Sequence, residues 1–449
     1  MNNERVKMPT LDKNIRISNF EEVELGFTEE DALKEASRCL QCNNPRCVKG
    51  CPVGIMIPSF IREILNHDLN KAYEIILESS SLPSICGRVC PQEKQCEQMC
   101  IRGLKSESIA IGALERYVGD NNTYINKQKI VKNGQKVAII GSGPSGLACA
   151  YDLAINGFDV TIYEVLQTPG GVLTYGIPEF RLPKKIVSKE IDKLKNIGVK
   201  IINDVLIGNT LTIGDLKNEF DYIYIGTGAG TPKFMGIDGE SANGVFSANE
   251  ILTRINLMKS YKIDSTTPIK KASTVYVIGG GNVAMDAARS LRRLGMNVHL
   301  MYRRSMNELP ARKMEVNHAI EEGIIFDTLK LPKKILVDDD NNVVGMQVVD
   351  MILDEEDESG RRSVQEDSQS LQQITCDMVV MALGTSINHE AIKNTDIKTT
   401  DRGLIETNDS KTSIDNVYAG GDVVTGAATV ILAMEAGKSA AKKILESLK

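Results

Sequence analysis

Eight of the ten cysteines crowd the first quarter of the chain. One group reads C-x2-C-x4-C-x3-C-P, from Cys39 through Cys42 and Cys47 to Cys51 and Pro52. The other comprises Cys86, Cys90 (followed by Pro91), Cys96 and Cys100. Thiolate sulfur is soft and charged, which suits iron, and a closely spaced loop can supply three ligands while a distant residue supplies the fourth. The run that closes on Cys51-Pro52 is similar to the bacterial ferredoxin run, in which the last Cys serves a second cluster, but has four residues where that run has two between its second and third Cys. Structural zinc competes with this reading, because each group contains spacings near that of a zinc knuckle. Eight Cys without a His in either group, and two Cys-Pro pairs, favour iron–sulfur clusters. Disulfides are disfavoured, since such clustering in an intracellular chain points to metal.

Two glycine-rich turns carry a second chemistry. Gly141, Gly143 and Gly146, with Pro144 and Ser145 between them, form G-x-G-x-x-G after an apolar strand and before an Ala-rich helix. The first Gly permits the turn, the second admits a pyrophosphate, and the third lets helix and strand pack. Glu164 ends the next strand, where a carboxylate can accept hydrogen bonds from ribose hydroxyls. Gly279, Gly280, Gly281, Asn282, Val283 and Ala284 repeat the pattern as G-x-G-x-x-A, but Arg303 and Arg304 stand where the first unit has Glu164. Guanidinium groups pair with a 2′-phosphate that a carboxylate would repel. The first turn is therefore expected to hold FAD and the second NADPH in preference to NADH. Near the C-terminus, Asp422 of Gly420-Gly421-Asp422 can hydrogen-bond a ribityl chain. The helix start near Thr429 and Val430 can stabilise a reduced flavin.

These residues need particular elements to position them. Thr28 to Leu40 reads as a helix with Thr28 as N-cap and Asp31 at the third position, and Ser59 to Leu77 reads as another. The polar stretch from Asn121 to Gly134 suits a linker. Beyond it, strand–glycine–helix–strand units begin at Lys136 and again at Thr274, which indicates two dinucleotide-binding domains. Residues 337–370 read as hairpin strands with a charged, solvated loop. The expected fold class is α/β: a helical iron–sulfur domain (1–130) followed by two Rossmann-like domains. The FAD domain (131–248 and 386–449) is interrupted by the NADPH domain (249–385).

Composition narrows the function. In 449 residues, 53 Lys and Arg against 59 Asp and Glu leave a net charge of −6, with no basic surplus for nucleic acid. No apolar run approaches the ~18 residues that span a bilayer. The N-terminus MNNERVKMPT lacks the apolar core of a signal peptide. A soluble, cytoplasmic protein is expected.

Taken together, CLQCNNPRCVKGCPVGI, ICGRVCPQEKQCE, IAIGALER, GSGPSGL, PGGVLTYGIPEFRLP, GGGNVAMD and YAGGDVV resemble the small (beta) subunit family of NADPH-dependent glutamate synthase. The same module occurs in dihydropyrimidine dehydrogenase and in the large subunit of NADH-dependent reduced ferredoxin:NADP oxidoreductase. The N-terminal stretch resembles the shorter, homotetrameric-type form, which includes those bifurcating large subunits. The resemblance implies two [4Fe-4S] clusters. One would be held by Cys39, Cys42, Cys47 and Cys100, the other by Cys51, Cys90, Cys96 and Glu115, leaving Cys86 without a ligand role. It adds Gly171, Val172, Arg181 and Val205 to the FAD site and Ala382 and Gly384 to the NADPH site. It further implies an oligomer in which electrons pass from NADPH through FAD and the clusters to a partner subunit. That partner would be a glutamate synthase large subunit or a ferredoxin-reductase-like flavin subunit, possibly with ferredoxin. No side chain is expected to act as acid or base.

Overall fold

Local capping chemistry starts the helical domain where the sequence signals it. In the computed structural model, which describes residues 4–124, 129–356 and 362–448, the Thr28 hydroxyl accepts from the Asp31 N–H at 3.1 Å. The Asp31 carboxylate accepts from the Thr28 N–H at 3.2 Å, and helix Glu29–Ala36 follows. That helix stops four residues short of Leu40, so Cys39 and Cys42 lie on a loop whose turn puts Gln41 at φ +48°. The single helix expected over 59–77 is two, Ile57–Leu65 and Leu69–Leu77. His67 breaks it at φ +58°, and Asp68 caps the second by accepting from the Lys71 N–H at 2.9 Å. Helices Pro83–Val89 and Ile111–Asn121 then pack backbone to backbone. A Cβ on Gly87 would stand 2.5 Å from the Arg116 nitrogen. Phe60, Ile61, Ile64, Ile76, Leu114 and Val118 form the centre of this domain. Part of the expected linker, residues 125–128, lies outside the described residues.

The first nucleotide unit opens with β1 (Lys136–Ile140), β2 (Asp159–Tyr163), β3 (Lys200–Ile202) and β4 (Tyr222–Ile225). The chain leaves it along β5 (Thr231–Pro232). It then builds β6 (Val245–Ser247), β7 (Thr274–Ile278), β8 (Asn297–Tyr302) and β9 (Ile325–Thr328). A three-stranded antiparallel sheet of β10 (Lys330–Val337), β11 (Val343–Glu356) and β12 (Arg362–Thr375) follows. β13 (Met378–Met381) and β14 (Thr385–Ser386) lead back, and β15 (Val417–Ala419) rejoins the first sheet. The orders are β15-β4-β1-β2-β3 and β6-β13-β7-β8-β9, with every adjacent pair parallel.

Both passages between the units are tied together, because β5 pairs with β14 in a two-stranded antiparallel ribbon. The insertion therefore starts earlier than residue 249, which falls inside helix Ala248–Asn256 and would separate β6 from the sheet it belongs to. The antiparallel strands expected over 337–370 are present as β11 and β12, while residues 357–361 of their loop lie outside the described residues. Paired strands end in step, Ile140 beside Tyr163 and Ile278 beside Met301. Each glycine turn thus shares one sheet edge with the residues that follow the neighbouring strand, the edge at which such folds bind ligands.

Candidate functional site

At the first turn, Gly141 takes φ +99° and a Cβ there would meet the Gly226 carbonyl at 2.6 Å. A Cβ on Gly146 would lie 2.0 Å from the Gly141 carbonyl. Nothing stands within 4 Å of a Cβ on Gly143, which caps helix Pro144–Ile155. Two positions are thus closed by backbone, and the third opens in front of a helix N-terminus, the arrangement a pyrophosphate needs.

A second glycine pair closes over this loop. The Gly170 N–H donates to Ser142 Oγ at 2.9 Å, and a Cβ on Gly171 would come 2.9 Å from Gly143 Cα. Val172, 48% exposed, begins the next helical turn at the same mouth. From the other side, Gly421 at φ +75° would set a Cβ 3.0 Å from Ser145 Cβ. Asp422 accepts from the Ala428 N–H at 3.3 Å, and burial raises its carboxyl above the ordinary range. Thr429 caps helix Val430–Glu446, which rests on Ser145 through Gly437.

Two expected FAD residues are otherwise engaged. Glu164 is buried, and its carboxylate already accepts from the Ser142 N–H at 2.9 Å, from the Ser142 hydroxyl, and from the Leu166 N–H at 2.9 Å. It braces the glycine turn as built, and the Val205 N–H donates to its carbonyl at 3.0 Å. Arg181 is ion-paired across to the second unit. Its guanidinium reaches both Asp286 oxygens at 2.7 Å and Glu315 at 2.9 Å, because two buried carboxylates of the second unit attract it more strongly than open solvent does.

The second turn repeats the geometry. Gly279, at φ +143°, would set a Cβ 2.4 Å from the Ala382 carbonyl, while Gly281 faces open space and caps helix Asn282–Arg293. Val283 is 39% exposed, and Gly384, at φ +87°, has no neighbour within 4 Å of a Cβ. The arginine pair divides. Arg303 is exposed at the end of β8, whereas Arg304 is buried and its Nε donates to the Arg362 carbonyl at 2.6 Å. Arg303 is thus open to solvent, whereas Arg304 also ties the antiparallel sheet to β8.

In the helical domain, Cys39, Cys42, Cys47 and Cys100 line one opening with Ile57, Ile61 and Ile109. Burial pushes the Cys47 thiol up to about 12, and the nearby Cys100 and Cys39 add to it. Cys51, Cys90, Cys96 and Glu115 form a second set. Burial lifts Cys51 to about 11, with the Glu115 and Cys90 charges contributing. Glu115 is only 6% exposed, Oε1 has no hydrogen-bond partner, and burial alone raises its carboxyl to about 8. A surface helix residue would show none of this. Burying several would-be anions together is costly unless a cation offsets them, and thiolate-bound iron supplies one. Among the described residues no group of three such side chains is poised to hold a single ion. Cys86 is fully buried one turn before Cys90, in apolar surroundings.

The chain is similar to known proteins along nearly all of its length. The family described as dihydropyrimidine dehydrogenase domain II, 4Fe-4S cluster, matches residues 16–127, and the pyridine nucleotide-disulphide oxidoreductase family matches residues 135–437. The glutamate synthase [NADPH] small chain of Escherichia coli is 32% identical over 99% of this chain and 97% of its own length. The chain belongs to the glutamate synthase small-chain family. It is an NADPH-dependent oxidoreductase of that type, with FAD, NADPH and iron–sulfur as its cofactors. The NADP(+)-dependent formate dehydrogenase subunit beta of Moorella thermoacetica is 36% identical over 90% of this chain, which spans 60% of that subunit's length. Mycobacterium tuberculosis FprA in complex with NADPH shares the fold over 70% of this chain and 84% of its own, at 18% identity and TM-score 0.60. Family members include subunits of larger assemblies, by name the beta subunit of a formate dehydrogenase and the small chain of glutamate synthase. No helix among the described residues is long and apolar enough to cross a membrane.

Sequence reasoning missed Gly170, whose N–H braces Ser142. Gly170 shares the PGG run with Gly171, so its adjacency was a usable signal.

Proposed function

We propose that this chain is the electron-input subunit of a glutamate synthase, in which two [4Fe-4S] clusters carry electrons from the flavin site to the large subunit. When bound, FAD and NADPH would supply the two-electron to one-electron redox chemistry. The protein's part is position. Gly143 and Gly281 leave room for the two pyrophosphates, and Arg303 selects the phosphorylated nucleotide. The second thiol set provides a buried cage beside the flavin unit.

One observation carries this reading, the graded burial of the two thiol sets. In the second set Cys90, Cys96 and Glu115 are buried and Cys51 is half-buried, and Cys90 shares an apolar core with Leu147 and Leu173 of the first nucleotide unit. Cys39, Cys42, Cys47 and Cys100 are half-buried and flanked by Leu40 and Leu104, 47% and 73% exposed, and by the exposed cations Arg46, Lys49 and Lys105. The gradient supports a relay that enters at Cys51, Cys90, Cys96 and Glu115 and leaves at the outer set. The test is reconstitution under anaerobic conditions with a glutamate synthase large subunit, NADPH, glutamine and 2-oxoglutarate. Glutamate formation dependent on both subunits is expected. Its absence, together with ferredoxin reduction strictly coupled to NAD reduction when a ferredoxin-reductase-like flavin subunit is added, would overturn the proposal.

A further inference from the structure

Between the second glycine turn and the helical domain lies the short segment Leu309–Arg312. On one side, the Ala311 N–H donates to the Gly280 carbonyl at 3.2 Å, and the Arg312 N–H donates to Asn282 Oδ1 at 2.9 Å. A Cβ on Gly280 would touch Leu309 at 2.8 Å, so the segment is seated on the turn itself. On the other side, Lys94 Nζ donates to the Pro310 carbonyl at 3.2 Å. Arg312 Nη1 donates to the Arg88 carbonyl and Nη2 to Gln92 Oε1, each at 2.9 Å. Gln92 in turn donates to the Cys86 and Gly87 carbonyls at 3.3 and 3.1 Å. A Cβ on Gly112 would meet the Gln92 amide nitrogen at 2.3 Å, which seats that amide against the helix bearing Glu115. A single residue, Arg312, thus joins Asn282, which opens the nucleotide helix, to the Arg88 carbonyl and the Gln92 side chain on either side of Cys90.

We propose that this segment couples occupancy of the second glycine turn to the redox balance of the centre formed by Cys51, Cys90, Cys96 and Glu115. Arg312 is the positioning residue through which the coupling passes. The inference rests on the electron-transfer reading above. Its guanidinium is buried at 4% exposure, and the nearest carboxylate, Glu93, is 3.6 Å from Nε. Glu24 and Glu315 lie within electrostatic reach of it. The guanidinium's two hydrogen-bond partners, the Arg88 carbonyl and the Gln92 side chain, lie two residues to either side of Cys90. A cluster that gains an electron becomes more negative, so a buried cation beside it favours the reduced form. Nucleotide contact with Gly281 and Asn282 would shift the Arg312 backbone and, with it, that cation. Linkage then demands reciprocity: reducing the centre changes the affinity for NADP+ by the same factor that NADP+ changes its reduction.

Redox titration of the iron-loaded protein, followed by electron paramagnetic resonance with and without NADP+, tests this directly. In the wild type, NADP+ is expected to shift the midpoint of one centre, and NADP+ affinity is expected to differ at least about fivefold between oxidised and reduced protein. Arg312→Gln should lower that midpoint and bring the two affinities within about twofold, below the usual range of couplings. Arg312→Lys keeps the charge but loses the fork, so it should hold the midpoint closer to wild type while losing the NADP+ dependence. Iron, sulfide and flavin contents establish that each variant is loaded. An unmoved midpoint in loaded Arg312→Gln overturns the proposal. So does a wild-type midpoint indifferent to NADP+, a result that stands even if the variants do not fold. A wild-type protein without iron would instead overturn the underlying electron-transfer reading.

Discussion

Replacing the two arginines after β8 one at a time should separate nucleotide choice from architecture. Arg303 is exposed and Arg304 is buried against the Arg362 carbonyl. A guanidinium about 4 Å from a phosphate contributes about 1 kcal/mol per unit charge in water and more at a partly screened surface. For a group carrying nearly two charges, about 1–2 kcal/mol is reasonable, or roughly 5–30-fold in relative kcat/KM. Arg303→Ala should therefore cut the NADPH to NADH preference by that factor, almost entirely through the KM for NADPH, with a dye as acceptor. The preference of the unmodified protein should also weaken as salt is raised, because the contact is exposed. Arg304→Ala should leave the preference near its original value while loosening the antiparallel sheet, read as a lower unfolding midpoint. Equal losses with both nucleotides in Arg303→Ala, or a lost preference in Arg304→Ala alone, would refute the assignment.

Gly143→Ala should fold, because its Cβ would enter open space, yet lose flavin on desalting. Gly146→Ala should be destabilised outright by the clash with the Gly141 carbonyl; a fully flavinated Gly143→Ala protein would count against the pyrophosphate assignment. Glu115→Gln should reduce iron and sulfide content by about one cluster while sparing flavin, and unchanged iron would remove Glu115 from the ligand set. At Glu322, burial alone would raise the carboxyl, but Arg289 and Arg293 reverse this and hold it from 4.5 down to about 2. That difference is about 3 kcal/mol, fully present above pH 4.5 and lost as pH falls through about 2. Glu322→Gln should therefore be less stable at pH 7 by roughly 3 kcal/mol, the amount typical of breaking a buried pair. Its acid unfolding should also be less steep between those pH values, whereas identical denaturation curves at pH 7 would dispose of the argument.

What was legible in the sequence was what depends on a few neighbouring residues. The turn at Gly141 needs positive φ at one position and no side chain at another, and both demands are met within six residues. The cap at Thr28 is equally local. The break at His67 left no such trace, since neither Gly nor Pro marks it. β6 is three residues long and acquires its identity only by pairing with β13, more than a hundred residues later. The different fates of Arg303 and Arg304 depend on β12, and that of Arg181 on Asp286 and Glu315 across the joint between the two units. Long-range charge pairing, unlike turn geometry, has no local pattern to announce it.

The return of β15 to the first sheet has a consequence for biosynthesis. A ribosome finishes the whole inserted unit before it delivers the strand that lies beside β4 and the helix that seats Gly437 on Ser145. Until then the nascent flavin unit has an unprotected edge, of the kind that invites misassembly in multidomain chains. A chain terminated before β15 would keep both glycine turns yet lack Gly421 and Asp422, so retention of the yellow cofactor would report that translation had passed Asp422.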